Sequence, residues 1–203
     1  MSNQLSSEDY KRKMQRRKEV QDQRLANMKA EKGLIIVHTG NGKGKTTAGL
    51  GMVMRSLGHG FQVGIVQFIK GAWEPAEKKI LEQYEEQLEF YAMGEGFTWE
   101  TQDRERDIAA AQKAWSKAKE FILNPDYKLV FLDEINIALK LDYLPLQDVL
   151  DTLAQKPESN HVILTGRGAK DELIEMADLV TEMKIIKHPF KEQGVKARAG
   201  IEF

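Results

Sequence analysis

The chain of 203 residues contains no cysteine, and this absence removes several kinds of chemistry. Without thiols the protein cannot form a disulfide, a cysteine-ligated zinc site, an iron–sulfur cluster or a cysteine nucleophile. Long apolar runs are also missing, since no stretch approaches the roughly 20 apolar residues that span a bilayer. The first residues lack the apolar core of a signal peptide. We therefore expect a cytoplasmic protein without a membrane segment.

The chain also lacks an excess of charge of either sign. Lysine and arginine number 30 and aspartate and glutamate 31, which gives a formal net charge of −1. Proteins that bind nucleic acids or membrane surfaces through overall charge are more basic, so we expect neither partner. A hydrophobic fraction of 41% over this length suffices for one substantial core. The composition therefore predicts one domain with short extensions.

The first thirty residues depart from this balance, with eight basic residues against four acidic ones. Ser6 followed by Asp9 resembles a capping box, and the lack of Gly and Pro after it favours a helix that starts near Ser7. We expect a basic N-terminal arm over residues 1–30 and a single domain over residues 31–203. The arm is interpreted either as a solvated, partly disordered extension or as a helical flap that closes over an anionic ligand.

From residue 33 onwards, apolar runs of strand length alternate with segments of helical composition. The runs lie at Leu34–Val37, Val63–Phe68, Leu88–Tyr91, Leu129–Leu132, His161–Leu164 and Leu179–Ile186, and the helical segments at 45–58, 74–86, 101–123, 145–155 and 169–178. This alternation predicts an α/β fold with a mainly parallel sheet of about six strands and helices on both faces.

The stretch HTGNGKGKTT, residues 38–47, lies between the first strand and the first helix of this pattern. It matches the P-loop motif, Gly followed by four residues and Gly-Lys-Ser/Thr, except that Thr39 stands at the first glycine position. The glycines at 40, 42 and 44 allow backbone N–H groups to point inward, and the helix adds the positive end of its dipole. Lys45 is expected to bind phosphate and the Thr46 hydroxyl to bind Mg²⁺.

A second motif, KLVFLDE at residues 128–134, is an apolar strand that ends in two carboxylates. In open α/β sheets, ligands bind at the carboxyl ends of strands, so Asp133 and Glu134 are expected beside the loop. We interpret them as a Walker B pair, in which one carboxylate holds Mg²⁺ directly or through water and the other positions a ligand or nucleophile. Alone, the pair could equally be acids placed favourably at a helix N-terminus. The two motifs together predict a three-layer P-loop NTPase fold of the RecA-like type.

Seven motifs in one order make the sequence similar to a particular family. They are TGNGKGKTT at 39–47, VQFIKG at 66–71, GFTWET at 96–101, LDE at 132–134, DYLPL at 142–146, TGRG at 165–168 and GVKA at 194–197. In this combination the chain closely resembles the ATP:corrinoid adenosyltransferases of cobalamin biosynthesis, from about residue 33 to Phe203 and more weakly in the arm. The threonine at position 39 is then the family's own variant of the P-loop.

The resemblance implies that the 5′-deoxyadenosyl group of ATP moves to the Co(I) centre of a reduced corrinoid, either cobalamin or cobyrinic acid a,c-diamide. The triphosphate that leaves carries about four negative charges. Extra positive charge at Lys43 and Arg55 suits this leaving group, although Lys43 fits a solvent-facing side chain equally well. The resemblance adds Asn41, Thr47 and Met93 to the nucleotide-binding set.

Arg167 lies between two glycines after the strand at 161–165, at the ligand edge of the predicted sheet. We interpret it either as a contact to nucleotide or corrin or as an ordinary loop arginine. The four histidines are scattered without the spacing of metal ligands, so we assign them to packing or to the surface.

Phe97 and Trp99 form an aromatic pair in a loop bounded by glycine. By itself such a pair fits a lid over the core. The resemblance implies instead that the two rings press on the lower face of the corrin and exclude its axial ligand, which raises the reduction potential of cobalt(II). It also implies a flavin-type reductase as electron donor and a homodimer.

Two other classes of function remain open at this level. The first is a P-loop kinase or ATPase, whose product would be ADP. The second is a nucleic-acid binder that uses the basic arm, whose affinity would fall steeply with salt. Neither accounts for the aromatic loop.

Overall fold

A computed structural model of the chain describes residues 6–28, 30–69, 76–93 and 103–201. The chain divides into two compact units, Met1–Glu31 and Lys32–Phe203. The first unit contains helix α1, Ser7–Ala26. The Ser6 hydroxyl oxygen accepts the Asp9 backbone N–H at 3.1 Å, so the predicted cap and helix start are confirmed. None of the residues of α1 is buried, and its basic side chains lie at the surface.

The second unit is built on a six-stranded sheet in which every pairing is parallel. Its strands are β1 Ile35–Thr39, β2 Gln62–Gln67, β3 Leu88–Ala92, β4 Tyr127–Asp133, β5 His161–Thr165 and β6 Leu179–Glu182. The spatial order is β3-β2-β4-β5-β1-β6. The predicted α/β class with about six mainly parallel strands is confirmed. Strand β6 is shorter than the predicted 179–186 because its neighbour β1 ends at Thr39, where the chain turns into the glycine loop.

The helices of this unit are α2 Lys45–Gly58, α3 Ala76–Leu81, α4 Arg104–Leu123, α5 Ile135–Lys140, α6 Leu146–Ala154, α7 Asp171–Met176 and α8 Pro189–Gln193. The predicted segment 74–86 is helical only in part, since α3 ends at Leu81 and a 3₁₀ turn follows at Glu82–Tyr84. Helix α5 has no counterpart among the predicted segments. It is a short helix that follows the two carboxylates directly.

Two apolar clusters on opposite faces of the sheet make up the core. Along β4, Val130 and Leu132 belong to the larger cluster with α4, α5 and α6, while Leu129 and Phe131 belong to the smaller one with α2 and α3. This alternation follows from the two-residue period of a strand, so a continuous apolar run supplies both faces. The unit is therefore a three-layer sandwich of helices, sheet and helices.

Helix α2 packs closely on the sheet because Gly49 has no side chain. A Cβ added to Gly49 would lie 2.6 Å from the ring of Phe131 in β4. The contact brings the helix that follows the loop against the strand that carries the carboxylates. Strand β5 lies between β1 and β4 in the sheet, so the glycine loop and the carboxylates are on alternate strands, as in RecA-like proteins. Among the described residues, no helix combines the length and apolar character needed to cross a membrane.

Candidate nucleotide-binding site

The glycine loop between β1 and α2 has the left-handed backbone that its sequence allows. Gly40 has φ +92° and Gly44 has φ +102°, a region that residues with a side chain rarely adopt. A Cβ on Gly40 would lie 2.5 Å from the Met183 carbonyl oxygen. The Gly42 N–H donates to the same carbonyl at 2.6 Å. The segment after β6 therefore supports the outer side of the loop, and only glycine fits at residue 40.

The N-terminus of α2 carries no side-chain cap. Its N-cap residue is Gly44, which has no side chain to accept the first N–H groups of the helix. In proteins such groups are satisfied by a side chain, by water or by a ligand, and they attract anions together with the helix dipole. The end of α2 thus has the donors and the field that a phosphate group needs.

Lys45 places a buried cation at this helix end. The residue is 7% exposed, and its Nζ donates to the carbonyl oxygens of Gly40 at 2.9 Å and Gly42 at 2.6 Å. Burial lowers the pKa of Lys45, while the carboxylate of Glu134 raises it and the cation of Arg167 lowers it. The ammonium group is therefore held in place by the loop itself before any ligand arrives.

A network of hydroxyls surrounds the Asp133 carboxylate. Asp133 is 4% exposed, and its Oδ1 accepts the hydroxyls of Thr46 at 2.9 Å and Thr165 at 2.7 Å. Gln67 Nε2 lies 3.5 Å from Oδ2. Burial raises the pKa of Asp133, and the hydrogen bonds from the threonines lower it. These contacts join the first turn of α2 to the ends of β2, β4 and β5.

The oxygens at this point fit a magnesium ion. Mg²⁺ prefers six oxygens, takes few from the protein and keeps waters or phosphate oxygens for the rest. The Thr46 hydroxyl and the Asp133 carboxylate supply two such oxygens 2.9 Å apart, beside the phosphate-binding end of α2. Within the described ranges there is no cluster of three or more His, Asp or Glu residues that could hold a metal alone. The donor set matches an ion shared with a phosphate ligand.

Glu134 is the strained member of the site. Its φ is +61°, and its N–H donates to the Thr165 hydroxyl oxygen at 3.0 Å. Its side-chain Oε2 is buried and has no hydrogen-bond partner among the described residues. Burial first, and then the nearby Asp133 carboxylate, raise the pKa of Glu134 to about 7 against the opposing effect of the Lys45 and Arg167 charges. A buried carboxyl oxygen that lacks a hydrogen-bond partner in the described structure and lies beside a lysine is typical of a group that binds a ligand.

This carboxyl makes the stability of the ligand-free protein depend on pH. The pKa of Glu134 is about 7 in the fold against 4.5 ordinarily, so the folded chain binds more protons between these values. The free energy of unfolding therefore falls as pH rises through this range, by about 3 kcal/mol in total. We expect Glu134→Gln to stabilise the ligand-free protein by about 1–3 kcal/mol at pH 8 and to give no such gain at pH 4.5. Denaturant unfolding at both pH values measures the difference.

The control for this prediction is Glu172→Gln, which removes an exposed glutamate from the first turn of α7. We expect little change in the free energy of unfolding of that variant at either pH. An equal effect of the two substitutions, or a gain from Glu134→Gln that does not grow with pH, would contradict the assignment.

The structure separates some residues that the sequence grouped with the nucleotide. Arg55 is exposed in the last turn of α2, ten residues after Lys45 and so about 15 Å further along the helix axis. The contact from Arg55 to the terminal phosphate, which the resemblance implies, stays a prediction. Met93 is 4% exposed and packs in the larger apolar cluster, and its contact to nucleotide stays a prediction.

The remaining predicted residues lie around the loop. Asn41, Lys43 and Thr47 are exposed on the loop and on the first turn of α2. Arg167 is exposed between Gly166 and Gly168 at the end of β5, within electrostatic reach of Lys45. The predicted corrin contacts Phe97 and Trp99 lie outside the described residues.

Sequence reasoning gave no role to the polar residues that end the strands. Thr39, Gln67 and Thr165 are the last residues of β1, β2 and β5, and each is buried. A polar residue that closes a buried apolar run of a parallel sheet lies at the ligand edge, and this signal could have identified all three. Their partners depend on strand order and were not readable from the chain.

A P-loop that opens an uncapped helix, a buried lysine, and a threonine hydroxyl on a Walker B carboxylate define a P-loop nucleotide-binding protein of the RecA-like type. The family model described as ATP:corrinoid adenosyltransferase BtuR/CobO/CobP matches residues 31–203. A second model, Cob(I)alamin adenosyltransferase N terminal, matches residues 1–25. The chain belongs to the ATP:corrinoid adenosyltransferase family, as the order of its motifs predicted.

Curated relatives agree over nearly the whole chain. A corrinoid adenosyltransferase of Pseudomonas aeruginosa is 50% identical over 194 residues, which covers 96% of this chain and 95% of the relative. One of Sinorhizobium sp is 53% identical over 94% of this chain and 90% of the relative. One of Escherichia coli K12 is 46% identical over 98% of this chain and 100% of the relative.

Proposed function

We propose that this protein is an ATP:corrinoid adenosyltransferase that moves the 5′-deoxyadenosyl group of ATP to the Co(I) centre of a reduced corrinoid. The observation that carries the proposal is the family match over residues 31–203, on a chain whose glycine loop holds the buried Lys45. In the reaction the electron pair of Co(I) attacks C5′, the C5′–O bond breaks, and the triphosphate leaves with that oxygen. The cobalt–carbon bond of the product is formed from the same electron pair, so no external oxidant is needed.

The site residues are proposed to act on the leaving triphosphate. Lys45 is held by two loop carbonyls, and Gly44 at the N-cap of α2 offers no side chain to accept the first N–H groups of the helix. Donors that are already in place lose little free energy by reorganising when negative charge develops on the leaving group. The loop therefore stabilises the triphosphate while C5′ stays accessible to the corrinoid. Lys43, at the rim of the loop, is proposed to add to the positive electrostatic potential around the triphosphate.

Thr46 and Asp133 are proposed to hold Mg²⁺, with Glu134 as a further ligand or as acceptor for a water on the ion. The ion, when bound, neutralises part of the charge on the phosphate chain. The protein's own contribution is the geometry of the two oxygens, which Thr165 and Gln67 maintain through Asp133. Thr165 also accepts the Glu134 N–H, so one hydroxyl orients both carboxylates.

By the family resemblance, the reductant is proposed to be a flavin-type reductase. It is a separate partner, since a chain without cysteine stores no redox equivalents in its own thiols. A homodimer, which rests on the family resemblance, and a cytoplasmic location, which rests on the composition, complete the proposal. The acceptor is proposed to be cobalamin or cobyrinic acid a,c-diamide.

Phe97 and Trp99 are proposed to press on the lower face of the corrin. If so, Trp99→Ala should slow turnover about tenfold or more when cobalt(II) must first be reduced, since the axial ligand then stays bound and the reduction potential stays low. With corrinoid that has been reduced chemically beforehand, the rate should stay within about twofold of the parent. Parallel assays with the two forms of corrinoid measure the split. The control is Trp115→Phe in the core of α4, and equal losses for Trp99→Ala in both assays would contradict the role.

The basic arm is proposed to be a helical flap over the anionic ligands. Deletion of residues 1–28 should then raise the KM values for ATP and corrinoid several-fold, since positive charge next to the site is lost. Deletion of residues 1–5 is the matched control, because it keeps α1 and its cap Ser6. Unchanged kinetics for the longer deletion would leave the arm as a solvated extension. Binding of mixed-sequence DNA that falls steeply with salt, and that the longer deletion abolishes, would instead favour a nucleic-acid arm.

The test of the proposed function is a single incubation of the protein with ATP, Mg²⁺ and chemically reduced cob(I)alamin in the dark. Triphosphate together with a corrinoid that light decomposes would establish adenosyl transfer. ADP and phosphate with an unaltered corrinoid would contradict it and would identify a P-loop ATPase or kinase.

A further inference from the structure

The turn at residues 166–169, which carries Arg167, is fastened at both ends by buried side chains of other elements. At its start, Asn136 Nδ2 of α5 donates to the Gly166 carbonyl at 3.1 Å. At its end, the Ala169 N–H donates to the Thr39 hydroxyl oxygen at 3.2 Å. Asn136 is 0% exposed and Thr39 is 8% exposed. The two hydrogen bonds join this turn to helix α5, which follows the two carboxylates, and to strand β1, which precedes the glycine loop.

The turn has little freedom between these two bonds. Gly166 has φ +127° and Gly168 has φ +68°, so both neighbours of Arg167 adopt backbone that favours glycine. A Cβ on Gly166 would lie 2.9 Å from Asn136 Cβ and 3.0 Å from Glu134 Oε2. The turn is thus in contact with the carboxyl group of the site. The Arg167 cation also lowers the pKa of both Lys45 and Glu134, which places its charge beside the loop.

We propose that Thr39 is a positioning residue: by accepting the Ala169 N–H, its hydroxyl directs Arg167 towards the triphosphate chain held by the P-loop. This inference deepens the proposed function and rests on its claim that a triphosphate binds in the loop. Thr39 itself contacts none of the reacting atoms. It positions the turn at residues 166–169, and Arg167 in that turn is the residue that contacts the phosphate.

The proposal explains why a threonine stands at the first position of the P-loop motif. A glycine at this position has no side-chain acceptor, so the Ala169 N–H would lose its partner in a part-buried place. Strands β1 and β5 are neighbours in the sheet, and His38 is opposite Thr165, so the ends of the two strands bring Thr39 next to the turn. The hydroxyl then joins the two phosphate-facing loops of adjacent strands, which the usual glycine could not do.

The test is a double-mutant cycle between Thr39 and Arg167, with binding of magnesium tripolyphosphate to the full chain as the readout. Thr39→Val keeps the shape and removes the hydroxyl, and we expect it to weaken binding about three- to tenfold, the range of one hydrogen bond. Thr39→Ser keeps the hydroxyl and should stay within about twofold of the parent. On an Arg167→Ala background, Thr39→Val should change binding by less than about twofold, because its effect passes through the arginine.

Two further variants distinguish a specific effect of the Thr39 hydroxyl on tripolyphosphate binding from a general loss of structure. Thr152→Val removes another buried threonine hydroxyl, which donates to the Asp148 carbonyl in α6, and it should leave tripolyphosphate binding unchanged. If Thr39→Val does not fold, Thr39→Gly carries the same cycle, since it also lacks the hydroxyl. An equal loss from the Thr39 substitution with and without Arg167, or no loss at all, would overturn the inference.

The same cycle is then measured as kcat and KM for adenosyl transfer. We expect Thr39→Val to act on KM for ATP and on kcat together, with rescue by serine, because Arg167 is expected to meet the leaving group both before and during its departure. Tripolyphosphate bound with the expected coupling but no light-sensitive corrinoid would contradict the proposed function and keep this inference. A parent protein that does not bind tripolyphosphate would overturn the inference itself.

Discussion

Replacing Lys45 by alanine is expected to lower kcat/KM for adenosyl transfer on the order of 10²- to 10³-fold, the usual cost of removing one placed donor from a developing anion. The ammonium is buried and bonded to the carbonyl oxygens of Gly40 and Gly42 before the ligand arrives. The substitution removes the positive charge beside the triphosphate, and it also leaves two loop carbonyls without their hydrogen-bond donor. Both effects act on the leaving group, so kcat should fall more than KM rises.

The matched control for this prediction is Lys43→Ala, which removes an exposed lysine of the same loop. That lysine is at the rim, where solvent weakens its interaction with phosphate, so its loss should cost less than about tenfold. Kinetics with chemically reduced corrinoid isolate the transfer step from the reduction of cobalt. If the two alanine variants lost activity equally, or if Lys45→Ala lost less than about tenfold, the role of the buried ammonium would be contradicted.

Replacing Asp133 by asparagine is expected to lower activity on the order of 10²-fold or more and to raise the Mg²⁺ concentration needed for half of the maximal rate. The carboxylate accepts the hydroxyls of Thr46 and Thr165, and it has one of the two protein oxygens proposed for the ion. An asparagine keeps the shape but removes the negative charge. One of the two carboxylate oxygens also becomes an NH₂ donor, which faces either the Thr46 and Thr165 hydroxyls or the Gln67 amide nitrogen.

A magnesium titration of Asp133→Asn, Glu134→Gln and Thr46→Ser measures how much each of these side chains contributes to binding of Mg²⁺. Serine keeps the hydroxyl, so Thr46→Ser serves as the conservative control and should need nearly the same Mg²⁺ concentration as the parent. If Asp133→Asn shifts the titration and Glu134→Gln does not, Asp133 is the ligand and Glu134 acts at the substrate. An unchanged Mg²⁺ requirement in Asp133→Asn would contradict the proposed metal site.

The family assignment narrows the alternatives that the nucleotide site alone leaves open. A P-loop with a Walker B pair fits kinases, ATPases and transferases on one fold, because the loop recognises phosphate and not the group that is transferred. The match over residues 31–203 and the relatives at 46–53% identity give the chemistry that geometry cannot. The structure adds which oxygens and cations of this chain are close enough to act together.

Much of the fold was readable from local patterns. The apolar runs located all six strands because a buried parallel strand needs apolar residues on both faces. Ser6 located the start of α1 because a hydroxyl there accepts the N–H three residues on. The short helix α5 was missed because Ile135–Lys140 continues an apolar run and has no capping residue or glycine to separate it from β4.

Arg55 illustrates a different limit. The spacing of ten residues from Lys45 says nothing about distance until the segment is known to be one straight helix, in which the two side chains lie about 15 Å apart along the axis. In a turn or a hairpin, the same spacing would bring the two residues much closer together.

By itself the sequence determined the family, the positions of the strands, the phosphate loop and the carboxylate pair, because each of these is written in residues that are neighbours along the chain. Only the tertiary structure decided which strand ends meet. Placing β5 between β1 and β4 brought Thr165 to Asp133 and the Arg167 turn to Thr39. The physical reason is that strand order is set by packing of the whole sheet and its helices, and no local pattern of residues records it.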